Sequence, residues 1–238
     1  MKVKLSKKLK IFCDGADFDS IIEMNKKKHV QGFTTNPSLM KSSGIKNYEK
    51  FARKILKHVK SKSVSFEVFS DDLNEMAIQA EKISSWADNV YVKIPITNTR
   101  GQSCIPLISN LIKKNIKVNV TAVFTLQQIQ KLSNILDGNS DCIISIFSGR
   151  IADTGIDPEV IVKKSLNLFI RRKKVKILWA STRELLNIYQ ASNLKCHIIT
   201  VPHSMLGKLN LANKNLTKYS LETVKMFYDD AKKAGYSL

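Results

Sequence analysis

A lysine inside a β-branched run is the position in this sequence that most clearly suggests chemistry. Lys93 follows Val90-Tyr91-Val92 and precedes Ile94-Pro95, so it lies in a predicted buried strand. Burial and a nearby arginine would disfavour the ammonium form of such a lysine, and a neutral amine can attack a carbonyl to form a Schiff base. An imine of this kind is an electron sink for cleaving a carbon–carbon bond. We therefore predict carbonyl chemistry at Lys93.

That chemistry also needs groups that carry protons and groups that hold the substrate. Asp14 and Glu67 are candidates to carry protons during carbinolamine formation, dehydration and bond cleavage. Arg150, Ser181 and Arg183 could hold a phosphate through charge-assisted hydrogen bonds. Each position alone has a plainer explanation, such as a helix cap or a solvated surface charge. Their convergence at one end of a fold is what would favour a functional pocket.

The elements that must position these residues can be predicted from an alternation of short β-branched runs with longer helical patterns. The eight predicted strands cover residues 10–13, 30–34, 64–68, 90–94, 118–123, 142–147, 175–179 and 197–201. Alternation implies parallel strands with right-handed crossovers, and eight such units close a barrel. We therefore predict an α/β fold: a single (β/α)8 TIM barrel domain over residues 1–238, with an additional C-terminal helix over 221–234.

The main competing architecture is an open, doubly wound sheet. Such a sheet often carries a glycine-rich phosphate turn after its first strand, and Cys13-Asp14-Gly15-Ala16-Asp17 lacks the second and third glycines of that turn. Helix starts are also predictable. Ser70 or Asp71 should cap the helix after the third strand, and Asp157 followed by Pro158 should open the helix after the sixth.

In a barrel the chemistry lies at the C-terminal ends of the strands. The polar residues predicted there are Asp14, Thr35, Asn36, Glu67, Lys93, Asn119, Thr121, Ser145, Arg150, Ser181 and Arg183. Burying such groups without partners is costly, so a polar cluster at this end of the barrel predicts a substrate pocket.

The charge balance is strongly basic, with 39 Lys and Arg against 20 Asp and Glu and a formal net charge of +19. That excess raises the question of a polyanionic partner. Only six of these cations are arginine, the residue that nucleic-acid readers favour, and the lysines are scattered along predicted helices. We predict a solvated surface that steers phosphorylated substrates and no specific nucleic-acid partner.

Cysteine, metal and membrane signals are all weak. The four cysteines lie far apart without a C-x-x-C pair, so buried reduced thiols are expected and no metal motif is found. No stretch of ~18 apolar residues occurs, and no signal-peptide pattern opens the chain. We therefore predict a cytoplasmic protein with no membrane partner, no cofactor and no metal.

Two motifs in this order resemble the transaldolase family, including its short transaldolase-like and fructose-6-phosphate aldolase branch. They are Gly32-Phe33-Thr34-Thr35-Asn36-Pro37-Ser38-Leu39 and Val92-Lys93-Ile94-Pro95. The supporting matches are Asp14, Asn119-Val120-Thr121, Phe147-Ser148-Gly149-Arg150 followed by Asp153, and Ala180-Ser181-Thr182-Arg183. The resemblance runs from residue 11 to 203 and implies a (β/α)8 barrel.

The resemblance also implies a role for each matching position. Lys93 would be the Schiff-base nucleophile, Asp14 would take and return the proton of the substrate C4 hydroxyl, and Glu67 with Thr121 and a water would shuttle protons. The remaining residues implied to bind substrate are Asn36, Asn119 and Ser145 on the ketol hydroxyls, Arg150, Ser181 and Arg183 on the phosphate, and Thr35 and Phe147 beside them.

Two of these positions bear on the type of reaction. The aldolase branch tends to carry Gln where Glu67 stands and Tyr where Phe147 stands, and those two side chains can activate a water that releases free dihydroxyacetone. With Phe147 the three-carbon adduct is better protected and waits for an aldehyde acceptor. The resemblance therefore favours transfer of a dihydroxyacetone unit between sugar phosphates such as sedoheptulose 7-phosphate and glyceraldehyde 3-phosphate, a pentose-phosphate-pathway reaction.

Several alternatives stay open at this point. The chain lacks the family's usual Thr after Asp14, and it carries an unusual Arg100 loop and an unusual Trp179. A fructose-6-phosphate aldolase-like enzyme, an enzyme for an unusual sugar, and a non-catalytic basic binding protein therefore remain alternatives. The last helix could cover the barrel or pack against a second subunit, so a homo-oligomer is also left open.

Overall fold

The computed structural model describes residues 5–139 and 141–237, and its centre is a closed barrel of eight parallel strands in chain order. The strands are β1 (Lys10–Asp14), β2 (Val30–Thr34), β3 (Ser63–Glu67), β4 (Val90–Pro95), β5 (Val118–Val123), β6 (Cys142–Ile146), β7 (Val175–Trp179) and β8 (Ile198–Pro202). Each strand pairs with the next, and β8 pairs with β1. The predicted (β/α)8 barrel is confirmed, with strand bounds within two residues of those expected.

Helices cover the outside of the barrel and cap one of its ends. They are α1 (Phe18–Lys26), α2 (Pro37–Ser42), α3 (Tyr48–His58), α4 (Leu73–Ser84), α5 (Ile105–Lys113), α6 (Leu126–Ser133), α7 (Ser148–Ala152), α8 (Pro158–Leu168), α9 (Leu186–Asn193), α10 (His203–Leu206) and α11 (Leu216–Ala234). The short helices α2, α7 and α10 directly follow β2, β6 and β8, and the sequence patterns did not predict them.

The core has two parts because each strand is covered on both faces. The larger part lies between strands and helices, and it includes fully buried Val92, Ile144 and Ile177. The smaller part fills the barrel interior with five buried residues: Phe12, Ile143, Leu178, Ala180 and Ile198. Continuous apolar strands are what a parallel sheet buried on both faces requires.

A glycine makes room for the largest interior side chain. A Cβ added to Gly32 would lie 2.6 Å from the ring of Phe12, which is far too close for carbon atoms. Because Gly32 and Phe12 are partners in the register of β1 and β2, the ring of one occupies the side-chain space of the other. Gly32 therefore belongs to the packing of the barrel interior.

The predicted helix caps were right at one position and wrong at the other. Asp157 caps α8 through the Glu159 N–H, as expected. The cap of α4 is Asp72, whose side chain accepts from two N–H groups of the first turn, and not Ser70 or Asp71. Asp71 instead binds Thr99 in the next loop of the barrel, so a contact between loops overrides the local cap preference.

The last helix is longer than predicted and lies free of the core. α11 begins at Leu216, after the cap residue Asn215, and ends at Ala234. The next residue, Gly235, caps the helix with a φ of 69°, the left-handed conformation that glycine adopts easily. None of its residues is buried in the single chain. Its large apolar side chains are exposed, among them Val224 at 60% and Phe227 at 63%.

Candidate active site

The buried lysine faces a carboxylate inside the mouth of the barrel. Lys93 is only 5% exposed, and its Nζ lies 2.8 Å from Glu67 Oε2 and 2.9 Å from the carbonyl oxygen of Thr35. Glu67 and Lys93 are register partners on β3 and β4, so the barrel itself sets their two side chains side by side. The Thr35 carbonyl is available because the chain leaves β2 at this point and turns into α2.

Lys93 Nζ is a donor to two oxygens, the Glu67 carboxylate and the Thr35 carbonyl. The 2.8 Å separation of Lys93 Nζ and Glu67 Oε2 is short enough for a proton to pass between them without an intervening water. Whether Lys93 acts as a nucleophile stays a prediction.

A second carboxylate, that of Asp14 on β1, is held by threonine hydroxyls on the two neighbouring strands β2 and β8. Thr34 Oγ1 lies 2.6 Å from Asp14 Oδ1 and 2.5 Å from Thr200 Oγ1. Burial raises the pKa of Asp14, although the Thr34 hydrogen bond and the charge of Lys93 oppose the rise, and the charge of Glu67 adds to it. A carboxyl with a raised pKa holds a proton more readily than an exposed carboxyl does, which suits a group that takes up and returns protons.

Three strands contribute a buried polar network that includes the register partner of the lysine. Ser145 Oγ lies 2.7 Å from Asn119 Oδ1, and Asn119 Nδ2 lies 3.1 Å from Ser65 Oγ. All three side chains are buried, and Asn119 is the register partner of Lys93 on β5. Two of the three predicted ketol-binding residues, Asn119 and Ser145, are therefore bonded to each other on the strands next to Lys93.

Two threonine hydroxyls beside this network are buried without a hydrogen-bond partner in the part of the chain that the structure describes. They are the Oγ1 atoms of Thr35 and Thr121. Thr121 lies at an irregularity of β5, where the register with β6 shifts and Ala122 takes a positive φ of 56°. Buried hydroxyls are usually paired, so these two are available to a polar substrate or to water.

Two predicted substrate-binding residues have structural contacts of their own. The side-chain oxygen of Asn36, Oδ1, accepts a hydrogen bond from the Leu39 N–H and so caps α2. The ring of Phe147 lies 5.3 Å from the Arg150 guanidinium and 5.7 Å from the ring of Phe124. Phe147 thus gives the rim an apolar surface with no hydroxyl.

The three predicted phosphate-binding residues lie on two adjoining loops at the rim. Arg150 is exposed in α7, while Ser181 and Arg183 follow β7, the strand paired with β6. Arg183 donates to Asp153 at 2.5 Å, with both side chains about half exposed. A Cβ on Gly149 would lie 1.6 Å from the Ser181 carbonyl oxygen and 3.0 Å from Arg183 Cγ, so the two segments leave no room for a side chain at this position.

Sequence reasoning missed several residues that hold these groups in place. Thr34 and Thr200 orient Asp14, and Ser65 holds Asn119. Tyr48, on α3, bonds to the backbone of Glu67. The alternation of the strands could have placed the two threonines and the serine in the interior, but a tyrosine on a surface helix gives no such signal.

Two further expectations concern the surroundings of the site. Arg100 lies in the loop after β4, with its Nε 3.9 Å from Asp71, which also binds Thr99. Within residues 5–139 and 141–237 no group of three or more His, Cys, Asp and Glu side chains could hold a metal ion. None of the helices described in those ranges is both long and apolar enough to cross a membrane.

The fold and the mouth together define a (β/α)8-barrel protein with a lysine–carboxylate pair buried at the C-terminal ends of its strands. Comparison with known proteins gives the particular family. The chain matches the family model described as transaldolase/fructose-6-phosphate aldolase over residues 11–238. It belongs to that family.

Curated relatives agree with this assignment over nearly the whole chain. A protein named "Probable transaldolase" from Thermoanaerobacter sp. is 31% identical over 231 residues, covering 97% of this chain and all of the relative. Proteins of the same name from Dehalococcoides mccartyi and Nitrosopumilus maritimus are 32% and 33% identical, covering 84% and 90% of this chain and 90% and 92% of their own lengths.

Solved structures of low sequence identity share the barrel. One is a 2,3-dimethylmalate lyase, with a TM-score of 0.57 and 11% identity over 96% of this chain and 84% of that chain. Another is a type I 3-dehydroquinate dehydratase from Clostridium difficile, with a TM-score of 0.53 and 10% identity over 85% and 89% of the two chains. At such identities the likeness concerns the fold alone.

Proposed function

We propose that this protein is a Schiff-base transaldolase that moves a dihydroxyacetone unit from a phosphorylated ketose to a phosphorylated aldose without a cofactor. The observation that carries the proposal is the buried pair of Lys93 and Glu67, whose atoms lie 2.8 Å apart within the electrostatic reach of Asp14. One nucleophile and two proton carriers are the minimum set for this reaction. Phosphorylated sugars do not cross membranes unaided, so we place the reaction in the cytoplasm and in the pentose phosphate pathway.

The first stage would form the imine. Glu67 takes a proton from the Lys93 ammonium, and the free amine attacks the C2 carbonyl of the ketose. The carbinolamine then loses its hydroxyl as water, with Glu67 returning the proton and the Thr121 hydroxyl available to hold that water. The product is a protonated Schiff base between Lys93 and C2.

The second stage would break and remake a carbon–carbon bond. Asp14 removes the proton of the C4 hydroxyl, the C3–C4 bond cleaves, and its electron pair moves into the iminium to give an enamine on Lys93. The aldehyde fragment leaves. An acceptor aldehyde then receives the enamine electrons, forms the new bond and regains a proton from Asp14, after which water hydrolyses the imine.

The rim residues would decide which sugars enter. Arg150, Ser181 and Arg183 can bind a terminal phosphate by charge-assisted hydrogen bonds, with Asp153 holding the Arg183 guanidinium. The large positive net charge would raise the encounter rate with such anions. The buried amide of Asn119, the register partner of Lys93, and the hydroxyl of Ser145 would bind the hydroxyls of the ketol unit.

Transfer and free aldol cleavage differ in the fate of the enamine. Phe147 and Glu67 favour transfer, since neither offers the neutral hydrogen-bonding pair that would hold a hydrolytic water beside the adduct. A Glu67→Gln/Phe147→Tyr double variant should release more free dihydroxyacetone for each unit transferred than the wild type does. An unchanged ratio of the two products would remove the basis for preferring transfer.

A direct transfer assay tests the proposal. Fructose 6-phosphate carrying a label in its first three carbons is incubated with an unlabelled aldose phosphate, and labelled ketose and free dihydroxyacetone are measured. We expect the label mainly in the new ketose. Label only in free dihydroxyacetone would indicate an aldolase, and turnover only with other ketoses would indicate an unusual sugar substrate.

A further inference from the structure

The carboxylate that faces Lys93 is held from behind by a tyrosine outside the barrel. Tyr48 is the first residue of α3, and its hydroxyl lies 2.9 Å from the Glu67 carbonyl oxygen and 2.8 Å from the Glu67 backbone nitrogen. The hydroxyl donates to the carbonyl and accepts from the N–H. One side chain thus takes both backbone hydrogen-bonding groups of the residue that pairs with Lys93.

These backbone groups need a partner because the neighbouring strand ends too early. β2 and β3 pair from Gly32 with Ser63 to Thr34 with Ser65, and the chain then turns into α2. On its other side Glu67 is in register with Lys93 of β4. The Tyr48 hydroxyl occupies the place that a further residue of β2 would take, and it prevents the loss of two backbone hydrogen bonds at the strand end.

The ring of Tyr48 is itself fixed. It packs against Phe66, Phe69 and Trp86, with centroid distances of 6.3, 5.4 and 6.3 Å. Burial raises the pKa of Tyr48, so the phenol keeps its proton and remains able to donate. The hydroxyl is therefore a fixed point relative to which the end of β3 is placed.

We infer that Tyr48 is a positioning residue for the reaction: its hydroxyl fixes the backbone of Glu67 and thereby holds the carboxylate within proton-transfer distance of Lys93. This inference rests on the proposed function, because imine formation is the step that the positioning serves. Proton transfer requires heavy atoms within hydrogen-bond reach, so a small displacement of the Glu67 backbone slows it strongly.

The substitution that isolates the hydroxyl is Tyr48→Phe, which keeps the ring. We expect borohydride trapping of a ketose on Lys93 to slow by ~10–100-fold and its pH profile to move, because the base is no longer fixed opposite the amine. The matched control is Trp86→Phe. It disturbs the same aromatic cluster, and the Trp86 indole N–H has no partner among the described residues, so no described hydrogen bond is lost.

Stability alone would affect both variants alike. If Tyr48 acts through Glu67, Tyr48→Phe slows trapping and Trp86→Phe does not, even where the two lose similar unfolding free energy. In a Glu67→Gln background, Tyr48→Phe should then add little further slowing, since coupled residues are not additive. Equal trapping rates and pH profiles for wild type and Tyr48→Phe, or full additivity with Glu67→Gln, would overturn the inference.

A second readout separates this inference from the proposed function. Lys93 is treated with a small acylating reagent that reacts with amines, in the absence of any sugar. The rate of its acylation is followed against pH by peptide mass spectrometry. We expect faster acylation of Lys93 in Tyr48→Phe than in Trp86→Phe, because its ammonium has lost a fixed carboxylate. Identical acylation in the two variants overturns the role of Tyr48, whereas a wild type that traps no ketose overturns the proposed function.

Discussion

Lys93 and Glu67 form an ion pair that is nearly shielded from water, with exposed side-chain fractions of 7% and 18%. The register of β3 and β4 makes them direct neighbours, so the pair is a consequence of the barrel rather than of a flexible loop. Removing one partner from such a pair leaves a buried charge without compensation.

This predicts a paired pattern of stabilities. Lys93→Met should lower the free energy of unfolding by about 3 kcal/mol, because Glu67 then stays buried without its partner. A Lys93→Met/Glu67→Gln double variant should regain most of that loss, since no unpaired charge remains. Urea unfolding at pH 7 measures both values. A double variant as unstable as the single one would show that the ion pair does not control stability here.

The raised pKa of Asp14 leads us to expect that its carboxylate lowers the stability of the folded protein while serving the reaction. Because burial raises its pKa, the folded state binds a proton more tightly than the unfolded state does, and stability falls as pH rises through the raised pKa. Asp14→Asn keeps an acceptor for Thr34 and removes this penalty, so the variant should be more stable than wild type at pH 7.

The same variant should form the Schiff base but cleave the carbon–carbon bond ~10²–10⁴-fold more slowly, as expected for loss of a proton carrier. Unfolding curves at pH 7 and at pH 3.5, together with single-turnover cleavage, test both parts. A stability gain that persists unchanged at the lower pH, or normal cleavage, would contradict this account of Asp14.

The close approach of Gly149 to Ser181 leads us to expect that a side chain at position 149 weakens phosphate binding. A Cβ at Gly149 would collide with the Ser181 carbonyl oxygen at 1.6 Å and push the loop that carries Arg183 away. Gly149→Ala should therefore raise KM for a phosphorylated ketose far more than for its unphosphorylated analogue. Gly207→Ala is the control, because a Cβ there meets nothing within 4 Å. Equal effects on both substrates would contradict a role in phosphate binding.

His197 predicts acid sensitivity at the opposite end of the barrel. Its Nδ1 accepts a hydrogen bond from the Ile177 N–H at 3.0 Å, which requires a neutral ring. Burial, aided by the charge of Lys176, lowers the pKa of His197 to about 4. The unfolded state therefore takes up the proton first, and stability is lost as pH falls from the ordinary histidine range towards 4.

His197→Asn offers an acceptor without this titration, so its unfolding free energy should change less than that of wild type between pH 7 and pH 4.5. Denaturant unfolding across that interval is the measurement. Parallel pH profiles for the two proteins would show that another group causes the acid sensitivity.

The barrel could be predicted because periodicity is a property of local sequence. Eight β-branched runs separated by helical patterns have few compact arrangements, and the parallel closed sheet is the one that covers all of them. The short helices α2, α7 and α10 could not be predicted, since four to six residues at a strand end carry too little periodicity. Asn36 illustrates this. The Asn36-Pro37 pair is typical of a turn, but in the structure Asn36 caps α2 and Pro37 is the first residue of that helix.

The polar residues at the barrel mouth could be predicted from the sequence for a related reason. A lysine or an acid inside an apolar strand stands out, and strand alternation places Asp14, Glu67 and Lys93 at one end of the barrel. The hydrogen-bond partners of Lys93 were not predictable, because Glu67 and Thr35 come within 3 Å of its Nζ only through the packing of the barrel. Tyr48 was missed because its role depends on a contact between a helix and a distant strand end.

The central claim is that one lysine among many forms a Schiff base. Lys62 provides a strict control, because its Nζ also donates to backbone carbonyls, those of Asn25 and Lys27, and burial lowers the pKa of Lys62. The two side chains differ in that Lys93 lies in the barrel mouth beside Glu67.

The most direct measurement is therefore borohydride reduction in the presence of fructose 6-phosphate, followed by peptide mapping. The account predicts one three-carbon adduct on Lys93, retained in Lys62→Met and absent from Lys93→Met. A folded wild-type protein whose Lys93 stays unmodified, or an adduct that survives in Lys93→Met, would contradict it.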